Sequence, residues 1–171
     1  MGRTLPVLPL VLVVAVPLPA LAGTVPQAAV ADCSAAPALP PALAAWSSPH
    51  AAIVAATDAK AAPLVSPGTA VDAKLISTPR MKPDGSRTTG FGGFLAFEAT
   101  SAGTWRVALG GRAWVDVIAA GQSAISVAHG HGPQCSGIAK YVDFALPAGR
   151  YLIQLSGSPV SAMGVMIAPA G

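Results

Sequence analysis

Charge is scarce in this sequence. Only 10% of its 171 residues are charged, against 53% that are hydrophobic. That balance is too apolar for a disordered chain and low in charge for a cytosolic domain. Glu98 is the only glutamate, and no two carboxylates stand at close spacing, so acid–base chemistry on paired carboxylates has no visible basis. Nucleophilic catalysis is equally unsupported. There is no Gly-x-Ser-x-Gly elbow, and Ser156-Gly157-Ser158 reads as a turn. Gly90-Phe91-Gly92-Gly93 lacks the lysine of a phosphate-binding loop. No basic stripe is interleaved with aromatics, which argues against nucleic acid as a partner. Lys74, Arg80, Lys82 and Arg87 gather only loosely, as a solvated loop would. Beyond the first residues no stretch is long and apolar enough to span a bilayer, so the mature chain is expected to lack a transmembrane segment.

What is present begins with an export signal. Arg3 supplies a positive start, residues 5–18 are apolar, and Ala20-Leu21-Ala22 forms a small-x-small cleavage pattern. Residues 1–22 are therefore read as a signal peptide. A second triplet, Ala29-Val30-Ala31, leaves cleavage after Ala22 or after Ala31 open. The apolar run is short for a membrane anchor and carries Pro6, Pro9 and Pro17. Asp32 precedes Cys33 where a lipoprotein signal has a small residue. Without Arg3, nine basic side chains face seven acidic ones, a net charge of +2. The expected location is periplasmic or secreted. In that setting two cysteines, Cys33 and Cys135, are expected to form one disulfide. It would close a loop that the chain-entropy model values at ~4.7 kcal/mol, pinning the N-terminal segment to the rest.

Residues 23–68 form an Ala/Pro-rich segment in which prolines interrupt any long helix. Short helical turns are expected at 41–46, where proline opens the turn, and at 51–62, where alanine is frequent. Trp46 is expected to anchor this segment. From Gly68 onward, β-type runs alternate with Gly, Pro, Asp and Ser. Strands are expected near 69–77, 93–100, 103–109, 113–119, 123–128, 139–146, 151–156 and 162–167. In one of them Trp114, Asp116 and Ile118 fall on one face and Val115 and Val117 on the other. Pro83-Asp84-Gly85 reads as a β-turn. Short strands spaced about ten residues apart predict an all-β fold over 69–171, a single β-sandwich or jelly-roll-like domain, with a small β-barrel as the alternative.

The string Ala128-His129-Gly130-His131-Gly132-Pro133-Gln134-Cys135 stands out chemically. Two histidines two residues apart point the same way on extended backbone, and imidazole is a common metal ligand. His129 and His131 are thus candidate ligands for iron or another divalent metal, with Glu98 as a carboxylate from another strand. The competing reading is a Gly-rich loop beside a disulfide, its histidines solvated or bonded to backbone. Cupin-type sites place a glutamate soon after His-x-His, but here Gln134 and Cys135 follow. Pro147-Ala148-Gly149 matches half of the second cupin motif, with Leu152 in the histidine's place. A zinc set of Cys33, Cys135, His129 and His131 would exclude the disulfide. Asp116 and Asp143 are expected to face solvent. Trp105, Trp114, Tyr141 and Tyr151 fall on expected strands, where core and cross-strand packing competes with stacking on sugars or other flat ligands.

Several blocks carry a family resemblance: Gly92-Gly93-Phe94, 102–109, Ala113-Trp114-Val115-Asp116-Val117, the 128–135 string and 142–151. Over roughly residues 30–168 the chain resembles a family of small exported alphaproteobacterial proteins often given the name homogentisate 1,2-dioxygenase. The likeness is to these small proteins, not to the much longer iron enzyme with its His/His/Glu site. The resemblance implies a metal-dependent dioxygenase-like protein, a non-haem iron enzyme that would use His129 and His131. The residues themselves favour a non-catalytic, cofactor-free module of the cell envelope that binds a ligand, an envelope component or a partner protein.

Overall fold

The computed structural model describes residues 1–2, 33–81 and 87–170. The leader, both cleavage triplets and the turn expected at Pro83-Asp84-Gly85 lie outside the described residues. The chain divides into two compact units, Met1–Val30 and Ala31–Gly171, and the second carries the β domain.

In chain order this domain contains a 3-10 helix (Pro41–Ser47), β1 (Ala51–Val54), a 3-10 turn (Ala59–Ala61), β2 (Ala70–Lys74), β3 (Ile76–Met81), β4 (Arg87–Ala99) and β5 (Gly103–Leu109). Then follow β6 (Trp114–Ala119), β7 (Gln122–Ser123), β8 (Ser126–Gly130), β9 (Lys140–Leu146), β10 (Gly149–Ser158) and β11 (Ala162–Pro169). One sheet has the order β1-β2-β11-β5-β9-β8, the other β3-β4-β10-β6-β7. The two remain separate, so the domain is an all-β sandwich rather than a barrel.

Alternation builds the core. In β5, Trp105, Val107 and Leu109 point between the sheets; in β10, Tyr151, Ile153 and Leu155 do the same from the other side. Phe97 is fully buried, stacked on Tyr151 at 5.6 Å and tilted against Trp105 at 6.0 Å. Each such side chain contributes roughly 1.5–3 kcal/mol through the apolar area it removes from water. The Tyr151 hydroxyl donates to the Pro147 carbonyl at 3.0 Å, tying the strand to the turn that precedes it.

Two expected strands are each divided between the sheets. The 69–77 run breaks at Leu75, with β2 in one sheet and β3 in the other, and Leu75 is itself buried at the corner. The 123–128 run is divided likewise, into β7 and β8. A β-type run marks strand but not the change of layer, which is set by pairing with strands distant in sequence.

The helical turn expected over 51–62 is not formed. Residues 51–54 make β1, parallel to β2 with Ala51 opposite Val71, and only Ala59–Ala61 is helical. Alanine's helix preference is worth only tenths of a kcal/mol per residue, and pairing to a sheet edge overrides it. Beyond Gly92, where β3 ends its pairing, the following segment takes over the edge of β4 through bridges Ala56–Phe94 and Leu64–Ala96. Gly93 permits this approach. Its φ is +148°, and a Cβ there would stand 2.7 Å from the Ala55 Cβ.

The 3-10 helix Pro41–Ser47 forms as expected, with proline in its first turn. It lies on the outer face of the six-stranded sheet, where Leu43 and Trp46 pack with Ala70, Ala108, Ile138, Met166 and Ala168. Gly164 provides the room: a Cβ would meet the Trp46 ring at 3.0 Å. The Cys33–Cys135 disulfide is formed and joins the start of this covering segment to the loop between β8 and β9. No helix among the described residues is long and apolar enough to cross a membrane.

Candidate functional site

Polar side chains collect in two places, one covered and one open. The covered place is the outer face of the six-stranded sheet. Arg106 on β5 and Asp143 on β9 are register partners, so their side chains leave the sheet together. Arg106 Nε donates to Asp143 Oδ1 at 2.7 Å and its second nitrogen to Oδ2 at 2.8 Å. Its guanidinium lies 3.9 Å from the Tyr141 ring centroid. The bond to Asp143 holds the Arg106 pKa above its ordinary value, against the opposing effect of burial. Asp143, expected to face solvent, is only 4% exposed. The alternation of β9 does put it outside the core; what it does not reveal is that Arg106, Tyr141 and the N-terminal segment shield that outer face. Asp116 is exposed, as expected.

Near Trp46, His50 Nδ1 meets Asp72 Oδ1 at 2.8 Å and Nε2 meets the Trp46 carbonyl at 3.0 Å. Carbonyl and carboxylate oxygens only accept, so both bonds together require the imidazolium. Burial lowers the His50 pKa, but the bonds to Trp46 and Asp72 outweigh it and the net direction is upward.

The open place is a cleft of about 520 Å³ at the end of the sandwich where β6 and β9 begin and β10 ends. Its lining includes Arg112, Trp114, His131, Lys140, Gly157 and Pro159. Trp114 is 63% exposed, whereas Trp46 and Trp105 are 7% and 3% exposed. The Lys140 Nζ lies 5.8 Å from the Trp114 ring centroid and donates to the Ala113 carbonyl at 2.9 Å, which holds the cation beside the indole. Arg112 is exposed and has no hydrogen-bond or ion-pair partner among the described residues. His131 Nδ1 donates to the Ala139 carbonyl at 2.8 Å, leaving Nε2 as its second nitrogen. The cleft therefore presents one flat apolar surface and three groups that carry or can carry positive charge.

The expected metal ligands are not gathered. His131 lines the cleft, but His129 sits on the edge strand β8 opposite Val142 and is not part of that lining. Glu98 is exposed on β4 in the other sheet, in register with Arg150. No group of three or more His, Cys, Asp or Glu side chains that could hold a metal occurs among the described residues. A His/His/Glu iron set does not fit this arrangement, and the disulfide removes both cysteines from a zinc set.

Of the four strand aromatics, Trp105 and Tyr151 are core and Tyr141 is half-buried under Arg106. Trp114 is the exception. Its alternation with Asp116 already placed it on the polar face, and Arg112, two residues before it, shares that spacing; nothing in the sequence pointed to Lys140 as its neighbour. In comparison with known proteins, the chain matches no protein-family model and no curated sequence.

Proposed function

We propose that the mature chain is a non-catalytic, exported binding module of the cell envelope, periplasmic or secreted, and that its Trp114 cleft docks a flat ring of saccharide type. The carrying observation is the large exposure of Trp114 inside a concavity. An indole left in water is a ready surface for stacking, because the face of a sugar ring is apolar enough to cover it. Lys140 and His131 are each held by a backbone carbonyl, so part of the polar rim is fixed before a ligand arrives, which lowers the ordering cost of binding. The disulfide supports an oxidising compartment.

Intrinsic tryptophan fluorescence tests this reading, because the other two indoles are buried. Titration with oligosaccharides of the bacterial envelope is expected to give a saturable change that Trp114→Ala abolishes. Absence of saturable binding to every envelope saccharide, or turnover of a substrate that His131→Ala removes, would contradict it.

A further inference from the structure

Resting on that reading, we infer that the cleft selects an anionic saccharide: the ring stacks on Trp114 while its acidic substituent is met by Arg112 and Lys140. Three observations carry this. First, the lining holds Arg112, Lys140 and His131 and no acidic residue among those described. Asp116 shares the outer face of β6 but lies two positions along the strand, outside the lining.

Second, the two cations retain donor capacity. Lys140 spends one of three donors on the Ala113 carbonyl, which fixes its position and leaves two. Arg112 spends none within the described structure, in contrast to Arg106, whose fork is filled by Asp143. An unfilled planar fork is suited to two parallel bonds with a carboxylate or phosphate.

Third, charge and aromatic surface stand at one place. Lys140 is close enough to the Trp114 ring that a ligand stacked on the indole brings its substituents within reach of the ammonium. A neutral sugar would use the indole alone and leave both cations in water. A simple anion would use the cations and leave the indole bare. An acidic sugar ring uses both.

The shared chemistry is a negatively charged group on a sugar, which in an envelope comes either from uronic acids or from phosphorylated amino sugars. Fluorescence titration of the mature, disulfide-bonded protein therefore compares three probes: a galacturonate oligosaccharide, a phosphorylated glucosamine disaccharide, and a neutral galactose oligosaccharide of equal length. At least one acidic probe is expected to bind about tenfold more tightly than the neutral one, with a preference that shrinks as salt rises. Whichever acidic probe binds more tightly identifies the source of the anion. Arg112→Gln, an exposed change, is expected to remove most of the preference for the acidic probe over the neutral one without altering thermal stability. Equal binding of acidic and neutral probes, or a preference that survives Arg112→Gln, overturns the charge selection and leaves the Trp114 platform standing. Binding of none of the three probes overturns the charge selection, and failure that extends to the other envelope saccharides removes the platform too.

Discussion

Trp46 and Trp114 both lie outside the core between the sheets, yet they are treated in opposite ways. Trp46 is pressed onto the outer face of the six-stranded sheet, fitted against Gly164, bonded through its carbonyl to His50 and carried on a segment held by a disulfide. Trp114 stands on the outer face of the five-stranded sheet with most of its surface in water and a lysine beside its ring. The first arrangement spends chain length, a crosslink and a shape-matched glycine to remove one indole from solvent. The second leaves similar apolar area uncovered. The same residue type thus does structural service at one face, while at the other its stabilising potential is unused and available to a ligand.

That contrast can be broken most severely at the covered face. Trp46→Ala should cost about 3–5 kcal/mol, since it removes a large buried side chain from a site that cannot close up fully. Chemical denaturation measures it, and a shift of under about 1 kcal/mol would show that the covering segment is merely adherent. Reducing the disulfide, or replacing Cys33 and Cys135 with alanine, should lower stability by about 2–5 kcal/mol, chiefly because the unfolded chain regains the freedom that the crosslink removes, read as a lower denaturation midpoint. Asp143→Ala should destabilise by about 3 kcal/mol because it strands the Arg106 guanidinium beside Tyr141 without its carboxylate. Asp143→Ala together with Arg106→Met should recover part of that loss, and failure to recover any would locate the cost elsewhere.

Smaller effects sharpen the comparison. The His50 pKa is raised in the folded protein, so its contribution to stability is fully present below the unfolded value of 6.5 and is lost as pH rises through the folded pKa. Thermal unfolding followed from pH 5.5 to 8 should show this decline, and His50→Gln should flatten it. A decline of equal size in both proteins would assign it to other groups. At the open face Trp114→Ala should change stability by less than about 0.5 kcal/mol, as expected for an exposed side chain outside the core. A large loss there would mean that the indole is structural after all.

How much of this was legible in the sequence differs between the two faces for a physical reason. Alternation found the strands: the 103–109 run is β5 residue for residue, and the Val115/Val117 face of β6 points inward as its pattern requires. It could not find the corners at Leu75 and between β7 and β8, because a change of sheet is set by pairing with strands distant in sequence, which local pattern does not encode. It also mistook β1 for helix, where alanine-rich local preference was overridden by an edge that only the folded β2 provides. Cysteine arithmetic found the disulfide, and proline in the first turn located the helix that carries Trp46. The pairing of Asp143 with Arg106 depends on register between β5 and β9, 37 residues apart in sequence, and no local signal encodes it. The cleft was half legible. Trp114 on Asp116's face was visible in the alternation, which Arg112 two residues earlier continues, but Lys140 joins them only when the start of β9 meets the start of β6 at one end of the sandwich. The His129/His131 pair stands out as a motif, yet β8 ends at Gly130, so His129 stays on the edge strand opposite Val142 while His131 lies beyond it in the lining of the cleft.

The most direct test of the Trp114 platform follows the indole N–H signals of all three tryptophans by NMR while an envelope oligosaccharide is added. The Trp105 indole is held by the Ser101 carbonyl at 3.1 Å inside the core, and Trp46 is covered, so both should stay in place. The Trp114 signal alone should shift and saturate. A titration in which Trp114 stays fixed while binding occurs, or in which all three signals move together, would contradict the assignment of this cleft as the binding surface.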